Sequence, residues 1–282
     1  YMTEKILHTQ AWSISKLKML ESCPLNFYLS YILKLKRDNP NQDTTARDLG
    51  QAIHYLLELM SSGYTIQEAY DITEAEHLDI VTPSNWHYIR LMLPNVYKFN
   101  RMMHERELEV PLSYVIPEQK LAINRNYEPV DFSSPDVYFR GIVDYTMRTS
   151  HNHSMILDFK KGGSRYLTKY HAPQLTACTL LDYYANEKFE EATSYIYYVE
   201  AGELSPGPKI QGNMIETHTR PWLDNKIGDA IAAVEDVGAF THNRNTMCKY
   251  CDYEDLCKAS SFKRGSCGEL EHHVEESRDI LL

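Results

Sequence analysis

The chain has 282 residues, 43% of them hydrophobic and 24% charged, with a formal net charge of −10. This is a globular composition with enough length for one large core or two modest ones, and no apolar run is long enough to cross a bilayer. The acidic balance excludes a protein that coats nucleic acid with its whole surface, but not an enzyme whose local field alone meets the strand.

Met2-Thr3-Glu4-Lys5 leads straight into mixed polar sequence without a signal-peptide pattern. A cytoplasmic, reducing setting is therefore expected, in which six cysteines favour metal ligation or free thiols over disulfides. Ser13 or Ser15 can cap a first helix with Ile14, Leu17 and Leu20 on one side, and Pro24 suits the first turn of a second that carries Leu25, Tyr28, Leu29 and Ile32. Lys34 to Asp43 reads as an exposed loop. Thr44 or Thr45 then caps a helix whose apolar stripe is Leu49, Ile53, Leu56, Leu57 and Met60. Helices over Ile66–Ala75 and Ser84–Glu105 complete a helical region of residues 1–107.

From Leu108 the period changes to two, and residues 108–218 read as a mostly stranded core. Leu108–Ile116 and Lys120–Ile123 are predicted strands. Asp136–Arg148 and Ser154–Lys160 form a predicted hairpin around the polar loop 149–153. If Arg148 pairs with Ser154, Asp144 stands opposite Asp158 on one face, which Lys160 shares. Two opposed carboxylates destabilise a sheet unless a cation lies between them. Pro173 begins a predicted helix to Asn186, Glu191–Val199 returns to strand, and Ile210–His218 is a predicted edge strand after a turn region at Gly202–Gly207. Thr219-Arg220-Pro221 opens a last helix within residues 219–262, and residues 263–282 form an acidic tail. The order gives an α/β fold with a mixed sheet flanked by helices.

Cys248, Cys251 and Cys257 place three thiols within ten residues, which points to a shared metal or cluster. The fourth ligand is open among Cys23, Cys178 and Cys267. If it is Cys23, the cluster closes a very long loop and joins the two ends of the chain.

These residues together resemble the RecB-like PD-(D/E)XK nucleases that carry an iron–sulfur cluster, above all the CRISPR-associated Cas-four exonucleases, their phage relatives and the AddB nuclease domain. Ser13-Ile-Ser15 with Cys23-Pro24-Leu-Asn-Phe-Tyr28 resembles the opening cysteine motif, and Leu49-Gly50-Gln-Ala-Ile-His54 the glycine–histidine helix. Gly141-Ile-Val-Asp144 and Leu157-Asp158-Phe159-Lys160 resemble the catalytic aspartate and D/E-x-K motifs, followed by Gly162-Gly163. Ala172-Pro173-Gln174-Leu175 resembles the glutamine motif, and the three late cysteines the closing one. One departure is Cys178, which stands where the family often has a tyrosine.

The resemblance implies a restriction-endonuclease-like single nuclease domain that hydrolyses DNA phosphodiesters, most simply as a single-strand exonuclease. It implies Mg²⁺ or Mn²⁺ on His54, Asp144, Asp158 and the Phe159 carbonyl, with Lys160 as the charged catalytic partner. It also implies a 4Fe-4S cluster on Cys23, Cys248, Cys251 and Cys257. Gln174, Arg140, Lys161 and Arg165 are candidate DNA contacts. Lys169, Tyr166 and Tyr170 extend that stretch, with bases stacking on the tyrosines. The competing readings are a DNA-end-binding subunit with a nuclease fold and little activity, and a zinc-stapled protein whose hairpin is structural.

Overall fold

A computed structural model describes residues 7–35, 45–78, 81–109, 112–162, 168–237, 240–245, 248 and 251–259. The chain forms two compact units, one of residues 1–43 and 222–282 and the other of residues 44–221.

In the first unit, α1 (Ile14–Ser22) is capped by Ser13, whose hydroxyl accepts from the Lys16 N–H. Pro24 opens α2 (Pro24–Phe27), where its missing N–H costs nothing, and a π turn at Tyr28–Ile32 extends it. The C-terminal segment holds most of α7 (Arg220–Val237) and the short α8 (Glu254–Ala259). It is fastened to the N-terminal helices by the Leu25 N–H on the Thr241 carbonyl at 3.0 Å and the Tyr253 hydroxyl on the Leu35 carbonyl at 2.7 Å. Phe240 stacks on Tyr28 at 4.7 Å.

The second unit is a five-stranded sheet in the order β1 (Leu112–Ile123), β2 (Phe139–Thr149), β3 (His153–Lys160), β4 (Glu191–Tyr198), β5 (Glu203–Gln211). The β3–β4 pairing is parallel and the others are antiparallel, so the sheet is mixed, as expected. Helices α3 (Thr45–Ser61), α4 (Ile66–Glu76) and α5 (Pro83–Glu109) cover one face. Their apolar stripes meet Tyr145, Met147, Leu157, Phe159 and Tyr197 in the main core. Phe99 lies at its centre, edge-on to Phe159 at 4.9 Å and to Tyr145 at 5.8 Å. Helix α6 (Thr168–Ala185) makes the β3-to-β4 crossover and packs Leu175 with Ile196 and Tyr198 on the opposite face. With both faces covered, Tyr145–Thr149 and Ser154–Phe159 are continuously buried.

Several expected boundaries move. Helix α5 runs through Pro94 to Glu109, so Leu108 is helical and the two strands expected around it become the single β1. Pro117 does not break β1 because this is an edge strand, where the missing donor removes no inner ladder bond. The same physics moves the last strand. β5 occupies Glu203–Gln211 despite Pro206 and Pro208, and the expected strand at Ile210–His218 is mostly a helical turn at Gly212–Met214 and a π turn at Ile215–Thr219. Gly212 ends the strand where its N–H reaches the Glu190 carbonyl at 2.7 Å and a Cβ would strike the Phe189 carbonyl. Helix α6 starts at Thr168, one turn before Pro173.

Candidate active site

The site grows from the hairpin. Its register is the one the polar loop predicts, with Arg148 opposite Ser154 and the last paired residues Tyr145 and Leu157. One step beyond, Asp144 Oδ2 takes the Phe159 N–H at 2.7 Å in place of a ladder carbonyl. His54 comes from α3 and puts Nδ1 3.5 Å from the same Asp144 oxygen. Its ring also hydrogen-bonds to the Phe159 backbone and stands edge-on to the Phe159 ring at 6.0 Å. A Cβ on Gly50, one turn earlier, would meet nothing within 4 Å, which leaves open space beside the imidazole. Asp158, 4% exposed, points to the α6 side. Its Oδ1 accepts from Gln174 Nε2 at 2.6 Å, and its Oδ2 lies 2.6 Å from the Lys160 ammonium.

The charged groups act on one another. Burial raises the Asp144 pKa well above the usual carboxylate value, and the Asp158 charge raises it further, against the Phe159 N–H and Lys160. Burial lowers the His54 pKa, so the imidazole is neutral at neutral pH. For Lys160, burial opposes the charge, but Asp158 and then Asp144 outweigh it and the ammonium is held above its ordinary pKa. Cys178 is buried near Ile142, and burial with the Asp158 and Asp144 charges pushes its thiol far up, so it is an inert packing group.

The predicted catalytic and metal-binding residues therefore meet in one place. Of the predicted DNA contacts, Gln174 lies in this site, and Arg140 and Lys161 have partners elsewhere in the protein. Gln174 is committed to Asp158. Arg140 donates to the Phe132 carbonyl at 2.9 Å and lies over the Phe132 ring. Lys161 pairs with Glu200 at 3.2 Å and lies over the Tyr88 ring, while the Tyr88 hydroxyl also bonds Glu200. Tyr170 is 67% exposed. Gly163, Arg165 and Tyr166, the Lys169 side chain, Cys267 and the acidic tail lie outside the described residues.

Sequence reasoning missed Glu118. It adopts a left-handed backbone, φ 46°, between the pairs Pro117–Tyr145 and Gln119–Val143, so it stands opposite Asp144. Burial, then the Glu58 charge, raises its own pKa, and its charge adds to the load on Asp144. Nothing in the local sequence marks this kink, since left-handed conformations favour Gly or Asn rather than Glu.

In the first unit, Cys23, Cys248, Cys251 and Cys257 line one pocket with His242, Asn243, Arg244, Asn245 and Glu254. The Asn245 N–H donates to Cys248 Sγ at 3.3 Å. Burial raises the Cys251 pKa and pushes Cys257 up to about 11, and the thiols reinforce one another.

A family model described as the PD-(D/E)XK nuclease superfamily matches residues 11–258. The chain belongs to the PD-(D/E)XK nuclease superfamily. No curated protein matches it. Among solved structures 24 chains match. One is the crystal structure of SSO0001, 17% identical over 93% of this chain and 98% of that one, with a TM-score of 0.30. PD-(D/E)XK membership implies a nuclease acting on DNA, and such enzymes typically use Mg²⁺ or Mn²⁺. Among the described residues no three His, Cys, Asp or Glu side chains close into a metal-coordinating group. At Asp158 both oxygens are instead held by Gln174 and Lys160. No helix among the described residues is long and apolar enough to cross a membrane.

Proposed function

We propose that this PD-(D/E)XK protein is a metal-dependent exonuclease of single-stranded DNA, akin to the Cas-four exonucleases and their phage relatives. In this reading a 4Fe-4S cluster sits on Cys23, Cys248, Cys251 and Cys257. The observation that carries the nuclease reading is the convergence of His54 and Asp144 on the Phe159 backbone, beside the Asp158–Lys160 pair.

The donor set fits a hard divalent cation. It offers the Asp144 and Asp158 carboxylates, a neutral imidazole and the Phe159 carbonyl, and the only charged partner of Asp158 Oδ2 among the described residues is the Lys160 ammonium. His54, Asp144, Asp158 and the Phe159 carbonyl would hold Mg²⁺ or Mn²⁺. When bound, such an ion lowers the pKa of a water and offsets phosphate charge. The chain's own groups do the rest. Asp144 is fixed by the Phe159 N–H, so its carboxylate keeps one orientation. Gln174 takes one oxygen of Asp158 and turns the other toward Lys160. Lys160 Nζ keeps its proton and offers positive charge where the phosphorane gains negative charge. Arg140, Lys161 and Arg165 are proposed strand contacts, and Lys161 must release Glu200 to reach a phosphate.

The cluster reading rests on four half-buried thiols sharing a pocket that also contains an N–H donor to sulfur and the Arg244 charge, which favours the Cys257 thiolate. A brown protein containing iron and acid-labile sulfide in equal amounts is the expected preparation, and a colourless, zinc-only one made without oxygen rejects the cluster.

The activity test is purified protein with Mn²⁺ or Mg²⁺ and end-labelled linear or circular single-stranded DNA. Wild type should degrade the linear strand and spare the circle. Asp158→Ala and Lys160→Ala should be inactive, with a loss of about 10³-fold or more. Absence of cleavage by wild type, or equal cleavage by the variants, overturns the nuclease assignment, and cleavage of circles overturns the exonuclease one.

A further inference from the structure

The face of α6 that carries Gln174 carries two further residues at helical spacing, Cys178 and Asp182. Asp182 is fully buried. Its Oδ2 accepts from Arg148 Nη2 at 2.9 Å and from the Ser154 hydroxyl at 2.7 Å. Arg148 and Ser154 are directly paired across β2 and β3. Asp182 Oδ1 accepts from Asn186 at 2.8 Å, and Asn186 in turn exchanges amide hydrogen bonds with Gln119 of β1 at 2.9 and 3.0 Å. One acid thus ties the helix to three strands.

This network is a poor way to gain stability. Arg148 is 2% exposed, and its Nε and Nη1 have no hydrogen-bond partner. Phe189 and Tyr114 rings lie 5.2 and 5.9 Å from the guanidinium. Buried ion pairs of this kind are often matched or bettered by apolar side chains, and their best-attested use is to fix a register.

The spacing shows which register. Along α6, Asp182 and Gln174 are eight residues apart, about 12 Å of helix. Along β3, Ser154 and Asp158 are four residues apart, about 13 Å of strand. The two rulers match and run in opposite directions, so fastening Asp182 to Ser154 brings Gln174 onto Asp158. Gly141 of β2 lies under the same helix, where a Cβ would stand 2.9 Å from the Leu181 Cδ1 methyl.

We infer that Asp182, held by Arg148 and Ser154, is a positioning residue that sets the register of α6 on the hairpin and thereby places Gln174 on Asp158. The inference rests on the nuclease reading only for its kinetic arm. Asp182 touches neither substrate nor reacting atoms.

Two variants test it: Asp182→Asn, and the paired Arg148→Met/Asp182→Leu, which removes both charges together and so avoids stranding one in the core. Each should lower kcat about 10- to 100-fold with KM unchanged, as loss of a group that orients a ligand does. Gln174→Ala should do the same, and adding it to either variant should cost no further activity. Multiplying losses, or full kcat in the paired variant, overturn the inference. A crystal structure of the paired variant decides independently of activity. The Gln174 Nε2–Asp158 Oδ1 contact should open beyond hydrogen-bond range, and a contact still near its present 2.6 Å overturns the inference even if wild type cleaves nothing.

Discussion

At Asp144 two demands collide. Burial and the Asp158 charge favour a bound proton, whereas the Phe159 N–H and the Lys160 ammonium favour the anion, and the proton has the advantage. The folded-state pKa lies above the unfolded one, so the stabilisation from this group is complete below the ordinary carboxylate range and is lost as pH rises through the folded value. In EDTA, the melting temperature should therefore fall as pH climbs out of the acid range. Asp144→Asn should flatten that slope and raise stability near neutrality by up to about 1 kcal/mol, while abolishing cleavage. Calorimetry across pH checks this, and an unchanged slope in the variant contradicts it. The same proton opposes a cation, so the acid limb of the pH–rate profile should follow Asp144. Burial lowers the His54 pKa, so a proton on the imidazole competes less with the cation. More Mn²⁺ should shift that limb to lower pH. Glu118→Gln removes one of the charges that raise Asp144 and should shift it the same way. A limb indifferent to both contradicts the assignment.

Among the elements, the hairpin was the most legible in the sequence. A polar loop fixed its ends, and burial on both faces left one register, since a slip by one residue would turn every side chain over. The elements that were misread share a cause. Prolines that look like breaks sit where no inner ladder bond is lost, at Pro117 on β1 and at Pro206 and Pro208 on β5. Edge position is a property of the assembled sheet and is invisible along the chain. The surroundings of the basic residues are hidden for a related reason: a basic residue in sequence does not reveal the Glu200 carboxylate or the Phe132 carbonyl that it meets in the fold. The close of β5 is testable alone. At Gly212 a Cβ would run into the rigid Phe189 carbonyl, so Gly212→Ala should destabilise the protein by about 1–3 kcal/mol in urea melts. A neutral result would mean that the backbone there yields easily.

At the scale of the whole chain, the cysteines pose the longest-range question. Local spacing reveals that Cys248, Cys251 and Cys257 belong together, but no spacing identifies a partner from the other end. That required a resemblance, and the fold then brings Cys23 into the same pocket. The first unit already holds its two segments together through backbone and aromatic contacts, among them Leu25 with Thr241 and Tyr28 with Phe240. A cluster would therefore reinforce an existing junction, not create it. Closing a loop from Cys23 to Cys248 still removes a large share of unfolded-state entropy, about 5.4 kcal/mol on the chain-entropy scale for crosslinks. Cys23→Ala should accordingly lose iron and labile sulfide and melt several degrees lower. Cys178→Ala, whose thiol packs on β2, should keep both iron and sulfide, as should Cys267→Ala. Iron analysis beside thermal melts separates the cases. Iron retained in Cys23→Ala, or lost in Cys267→Ala, assigns the fourth ligand to the C-terminal segment, and the link between the chain ends then rests on hydrogen bonds and stacking alone.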